Sequence, residues 1–168
     1  IICAASTHKG DEEVIIDAYK SSLKKYPEIK LILVPRQIYR TKEICGLLEE
    51  QNFSYTLRTS NKKCNTQVYV VDSIGELMGV FKEAEIVIMG GSFSKKIGGH
   101  NIIEPAFFKK CVICGNHMEN FRDIFSLFKR ENAVIETNET ELKNTVLKAL
   151  ENKTESQKIG DNAFNLLN

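Results

Sequence analysis

Residues 90–106 read GGSFSKKIGGHNIIEPA, a stretch that gathers four glycines, a histidine and a Glu-Pro step just after a buried-looking strand. Gly90 and Gly91 follow the apolar run EIVIM, where a chain leaving a strand must turn and can let a ligand approach its backbone. Gly98 and Gly99 precede His100 and Asn101, and Asn101 is a good N-cap for a helix opening at Ile102. Pro105 then falls in the first turn, where no helical hydrogen bond is lost to it. A glycine-rich turn opening a helix presents free N–H groups at the positive end of the helix dipole, which is the chemistry of a phosphate site.

Glu104 has two readings. Asn101-x-x-Glu104 is close to a capping box, in which the carboxylate ties back to the cap. The same carboxylate can accept hydrogen bonds from the two vicinal hydroxyls of a ribose. His100 reads either as a loop histidine satisfied by backbone or, in this Gly-Gly-His-Asn turn, as a ligand contact. Lys95 and Lys96 fit a solvated loop as well as they fit a phosphate clamp.

A second loop, ASTHKGDEE at residues 5–13, offers Ser6, Thr7 and His8. Asp11, Glu12 and Glu13 decorate the positive end of the following helix and would repel an anion there. The loop is therefore expected to present its hydroxyls and His8 sideways to a ligand held at the 98–101 turn. Arg36, fixed beside Pro35, is suited to pair with a phosphate.

The elements that position these residues alternate along the chain. Apolar, Ile- and Val-rich segments predict strands at 1–5, 30–34, 53–57, 68–71, 85–89, 111–114 and 133–136. Amphipathic segments predict helices at 11–26, 38–51, 73–83, 102–108, 119–130, 139–151 and 155–166. Ser73 and Glu76 have the spacing of a capping box at the third helix. Continuously apolar strands such as LILV and IVIM are those of a parallel sheet covered by helices on both faces. The fold expected is α/β, a doubly wound parallel sheet in one Rossmann-like domain over residues 1–168. Ligands bind such sheets beyond the carboxyl ends of the strands, near the switch in strand order. His8, Arg36, His100 and His117 all follow predicted strands, so all four are expected on that edge.

Composition narrows the function classes. The 168 residues are 42% apolar and 27% charged, with 23 Lys and Arg against 22 Asp and Glu, a net charge of +1. No global field favours nucleic acid, and no apolar run approaches membrane-spanning length. Five cysteines without a disulfide framework fit a reducing compartment. Cys111 and Cys114 form a CxxC within a strand, where residues three apart face opposite ways, so they read as buried small hydrophobes. No cluster has metal-ligand spacing, and neither metal nor cofactor is expected. The chain opens at Ile1 inside a strand and reads as a piece of a longer protein.

The blocks ASTHKGDEE, LILVPR, DSIGEL, VIMGGSF…GGHNIIEPA and GNHMENF resemble, in order and spacing, the carboxyl-terminal half of the 3-deoxy-D-manno-octulosonic acid (Kdo) transferases. The likeness covers about residues 1–150. It departs at Lys109-Lys110, where the family carries a small residue and proline, and at Asn116, where it carries proline. The resemblance implies the Rossmann-like carboxyl-terminal lobe of a GT-B glycosyltransferase that holds CMP-Kdo. It also implies an amino-terminal lobe carrying the general base and the acceptor site. Transfer would be inverting and metal-independent, to a lipid A precursor at the cytoplasmic face of the inner membrane. Donor-side motifs would include Ser6, Thr7, His8, Arg36, Gly90, Gly91, Gly98, Gly99, His100, Asn101, Glu104 and Asn120, with no catalytic residue in this lobe. The fragment alone is expected to be soluble and inactive, without nucleic-acid partners. Two other readings compete: a GT-B lobe or epimerase using a UDP-sugar, and a non-catalytic module that binds a nucleotide or anion.

Overall fold

The computed structural model describes residues 1–167. Its strands are β1 (Ile2–Thr7), β2 (Leu31–Pro35), β3 (Tyr55–Leu57), β4 (Val68–Val70), β5 (Ile86–Met89), β6 (Cys111–Cys114) and β7 (Ile135–Glu136). Between and after them lie α1 (Asp11–Leu23), α2 (Thr41–Glu50), α3 (Leu77–Glu83), α4 (Ile103–Phe107), α5 (Arg122–Arg130), α6 (Leu142–Glu151) and α7 (Lys153–Asn165). All the strands join one sheet in the order β3-β4-β2-β1-β5-β6-β7. Every neighbouring pair is parallel.

Alternation along the strands divides the core in two. Ile2, Ala4, Leu31, Leu33, Ile86, Ile88 and Ile113 face Ile15, Tyr19, Leu48 and Val146 from α1, α2 and α6. Cys3, Ala5, Val87, Met89, Val112 and Cys114 face Phe81, Ala106, Phe125, Phe128 and Ala163 from α3, α4, α5 and α7. Each fully buried large side chain contributes about 1.5–3 kcal/mol relative to exposure. This is the doubly wound sheet expected from the sequence. Cys111 and Cys114 are both buried on β6, and burial pushes the Cys111 thiol up to about 11.

Element boundaries moved for identifiable reasons. α1 ends at Leu23 rather than Tyr26, because Tyr26 precedes Pro27 and a residue before proline is disfavoured in helix. The helices expected at 38 and 119 begin as short 3₁₀ turns, Ile38–Arg40 and Glu119–Phe121. The capping box at Ser73 is a correction. Gly75 has φ +87°, which no right-handed helix contains, so α3 starts only at Leu77. Ser73 Oγ does donate to Glu76 Oε1 at 3.3 Å, but outside the helix.

Because all strands run one way, their carboxyl ends share an edge. From β1 the chain first builds the sheet toward β2, β4 and β3, then returns to add β5, β6 and β7 on the other side. The switch therefore lies between β1 and β5. There the two strand exits touch: the Gly90 N–H donates to Ala5 O at 2.8 Å. A Cβ on Gly90 would lie 2.5 Å from Ser6 O and 2.6 Å from Thr7 Cα, both backbone atoms that cannot swing aside. Gly90→Ala should therefore cost about 1–3 kcal/mol, as overpacking does, read as a lowered denaturant midpoint. An unchanged midpoint would mean that the two strand exits part freely.

Candidate functional site

The site is built at that switch. β1 does not end cleanly: its pairing with β2 slips between Ala5 and Thr7, and Ser6 takes φ +56°. This bulge turns the loop outward and carries His8 over the edge. From the other side, the long β5–α4 loop brings His100 back to the same place. The two rings meet with Nε2···Nε2 at 2.7 Å and their planes 5° apart. One Nε2–H donates and the other ring accepts. Gly91 makes room for this, since a Cβ there would stand 2.9 Å from His100 Cδ2.

The loops are wired from below by α1. Asp11 Oδ2 accepts the His8 N–H at 2.8 Å and the Gly91 N–H at 2.7 Å, joining the β1 and β5 exits through one oxygen. Gly91 O in turn accepts the Gly99 N–H at 2.9 Å, which seats the residue before His100. Glu12 performs the same service toward β2. Its carboxylate accepts Thr7 Oγ1 at 2.7 Å and both terminal nitrogens of Arg40, at 2.9 and 3.2 Å. Glu12 is 1% exposed and Arg40 8%, so this is a buried ion pair. Asp11 and Glu12 are thus structural cross-links, where the sequence had read dipole decoration. Burial pushes Asp11 up to about 6 against the opposing pull of the two N–H donors.

The predicted ligand residues separate into two groups. Arg36 is exposed at the β2 exit, anchored only by its backbone N–H to Thr7 O at 3.0 Å, and its guanidinium has no partner among the described residues. His8, Arg36 and His100 come together: burial, the partner ring and Arg36 hold His100 down to about 4. Burial, then Arg40 and Arg36, lower His8 as well. Glu104 gives one oxygen, Oε1, to Asn101 Nδ2 at 3.2 Å, while Asn101 Oδ1 accepts the Ile103 N–H at 3.0 Å. Asn101 thus accepts an N–H from two residues on, one position before the N-cap Ile102, and Oε2 of Glu104 has no partner among the described residues. Ser6 is half-buried at the bulge.

The second group is spent inside the fold. Thr7 is fully buried on Glu12, a correction to its expected ligand role. Asn120 closes the 98–101 turn, with Nδ2 on Ile97 O at 2.7 Å and its N–H on Gly98 O at 2.9 Å. Gly98 and Gly99 donate to Ser94 O and Gly91 O, so they offer no free N–H to a phosphate. α4 spans only Ile103–Phe107, so the expected helix-terminus phosphate site is also corrected. His117 lies on the expected edge but its ring contacts Glu119 at 3.3 Å. Sequence reasoning missed Arg40 entirely; nothing local in IYR marks it as buried.

A concavity of about 390 Å³ lies at the opposite, amino-terminal edge of the strands among Lys109, Lys110, Lys153 and Ser156. Its lysines are committed, Lys109 near Asp161, Lys110 to Lys82 O and Lys153 to Glu85. Unpaired polar chemistry, rather than volume, marks the His8–His100 edge as the candidate site.

Comparison with known proteins identifies the family. The model of the family described as glycosyl transferases group 1 matches residues 4–166. The chain belongs to that family. It is 38% identical over 168 residues to the 3-deoxy-D-manno-octulosonic acid transferase of Haemophilus influenzae, covering 98% of this chain and 39% of that protein. Over 132 residues it is 35% identical to a probable mitochondrial 3-deoxy-D-manno-octulosonic acid transferase of Arabidopsis thaliana, covering 77% of this chain and 30% of that one. The C-terminal CMP-Kdo binding domain of WaaA from Acinetobacter baumannii superposes with a TM-score of 0.93 at 28% identity, over 99% of this chain and 88% of that chain. The fold is accordingly the Rossmann-like carboxyl-terminal lobe of a GT-B glycosyltransferase. The chain spans about two fifths of the Haemophilus relative's length.

Two outcomes are expected from the wiring. Arg40→Met leaves the buried Glu12 charge uncompensated and should cost about 3–5 kcal/mol in denaturant unfolding, most of it regained on adding Glu12→Leu. If the single variant is as stable as the parent, the ion pair does not hold the edge together. For the histidines, the unfolded chain titrates near 6.5 while folded His100 stays neutral to about 4. The unfolded state therefore binds the extra proton in that interval, and this contribution to stability is lost as pH falls from about 6.5 toward 4. Asp11, held at about 6, acts in the opposite direction below that pH. Comparing the parent with His100→Gln removes the Asp11 contribution: the parent's stability relative to the variant should decline between pH 7 and 5. A pH-independent difference in Tm would contradict the neutral pair.

Proposed function

We propose that this chain is the donor-binding lobe of a Kdo transferase, holding CMP-Kdo while the sugar moves to an acceptor carried by the rest of the protein. The observation that carries the reading is the convergence of His8, His100 and the unpartnered Arg36 at the strand-order switch. The relatives named as Kdo transferases and the neighbour named as a CMP-Kdo binding domain support the same choice. They do not favour a UDP-sugar lobe, an epimerase or a non-catalytic module.

The chemistry is set by where charge develops. Breaking the bond between the sugar carbon and the phosphate oxygen leaves the electron pair on CMP, whose phosphate gains one negative charge. Groups already aimed at that position stabilise it more in the transition state than before it. The Arg36 fork can take two phosphate oxygens, and an imidazole N–H can take a third. The free Oε2 of Glu104 can accept from a ribose hydroxyl. The donors that this edge can aim at the developing charge are cationic and N–H groups.

Asp11 and Glu12 are buried and bonded, and the free oxygen of Glu104 is taken by the ribose in this reading, which leaves the general base to be supplied from elsewhere. The base and the acceptor surface belong to the chain outside these residues. The acceptor would be a lipid A precursor and the place of reaction the cytoplasmic face of the inner membrane; no helix among the described residues is long and apolar enough to cross a membrane.

Calorimetric titration tests the reading. CMP should bind saturably but weakly, more tightly than UMP or UDP, and EDTA should not change the result. Arg36→Ala should weaken CMP by about 1.5–3 kcal/mol, the worth of hydrogen bonds to charged groups, and most at low salt. Glu104→Gln should lose about 1–3 kcal/mol of CMP affinity with little change in Tm. Equal affinity for all three nucleotides, or Kdo transfer by this chain alone, would overturn the proposal.

A further inference from the structure

The His8–His100 contact has a chemistry of its own. At 2.7 Å two Nε2 atoms hold a single proton between them, and planes only 5° apart let the N–H of one ring aim at the lone pair of the other. In the neutral pair the donor ring carries its proton on Nε2 and has a bare Nδ1, whereas the acceptor ring carries its proton on Nδ1. A second proton can therefore enter without breaking the contact at one place only, the bare Nδ1 of the donor ring. Neither Nδ1 has a partner among the described residues.

Burial first, and then the positive charges around the pair, disfavour that further proton. Arg36 faces the pair from the β2 exit and Arg40 from the turn beyond. From α1, Asp11 and Glu12 lie beneath, but Asp11 is committed to two N–H groups and Glu12 to Arg40, which also binds Glu43. On the remaining elements, Glu104 is tied to Asn101 and His117 to Glu119, while Lys9, Lys95 and Lys96 are exposed. Arg36 is thus the unpaired charge among the described residues that acts on both rings, and it is positive. A phosphate monoester carries close to two negative charges near neutral pH. One compensates Arg36, and the other is left facing the imidazoles.

We infer that the His8–His100 pair takes up one proton from solvent when a phosphate monoester binds beside it, so that occupancy of the site and the charge of the pair change together. The proton lands on the free Nδ1, the pair goes from neutral to singly positive, and the Nε2–H···Nε2 bond survives. The pair then offers an added Nδ1–H to the anion. The inference rests on the donor-lobe reading above for the nature of the ligand.

Nitrogen NMR of the chain with its histidine rings labelled, near pH 6.5, reads the event directly. Titration with CMP to saturation should move the ring signals of His8 and His100 toward imidazolium positions. His117 serves as an internal control and should stay, and cytidine, which lacks the phosphate, should move neither ring of the pair. Saturable CMP binding with the His8 and His100 signals still those of neutral imidazole overturns this inference and leaves the donor-lobe reading standing. If CMP does not bind at all, both fall. Equal movement with cytidine also overturns it, since the phosphate charge would then not be the cause.

Discussion

One carboxylate oxygen sits at the centre of this architecture. At the strand-order switch, two parallel strands leave the sheet side by side and their loops diverge, so backbone N–H groups at both exits lose the ladder that satisfied them. Asp11 Oδ2 takes one from each side, His8 and Gly91. The consequence is geometric. Gly91 is fixed, its carbonyl fixes Gly99, and His100 arrives where His8 already stands. Glu12, the next residue, repeats the arrangement toward the β2 exit through Thr7 and Arg40. The first two residues of one helix therefore hold the loops of three strands in register, and both carboxylates that support the polar edge are buried.

Much of this was legible from the pattern of residues. Strands buried on both faces are apolar throughout, so LILV and IVIM announced a parallel sheet, and a parallel sheet announces which edge carries ligands. That reasoning placed His8, Arg36, His100 and His117 on one edge. What the pattern could not reveal were pairings across long separations. Arg40 meets Glu12 across 28 positions, and an arginine in IYR looks like any surface arginine until the turn that buries it is formed. The acidic cluster was misjudged because helix-dipole complementarity already explains Asp and Glu in a first turn, and a sufficient explanation hides a second one. Thr7 and Asn120 failed for the converse reason: a hydroxyl or amide beside a site serves equally well as scaffold, and only the fold decides.

The distribution of free and committed charge is more informative than the distribution of space. The amino-terminal edge of the sheet has a hollow and several lysines, yet each lysine there already has a carboxylate, carbonyl or ring partner. At the carboxyl edge the groups are few and the surface is open, but Arg36 and one oxygen of Glu104 are unclaimed. A buried polar group without a partner is costly, so a fold keeps unclaimed donors and acceptors where solvent or a ligand can reach them. That is the situation at this edge.

The balance of positive charge at this edge also bears on the proposed donor-lobe function. In that reading, several permanent cations at this position would repel one another and would grip a product that carries one more negative charge than the donor. Neutral imidazoles add no repulsion to Arg36, and a positive charge gained only with the anion would be given up as the anion leaves. The bulge at Ser6, the space left at Gly91 and the carboxylate of Asp11, which also satisfies two strand-exit N–H groups, together bring two rings within 2.7 Å of each other.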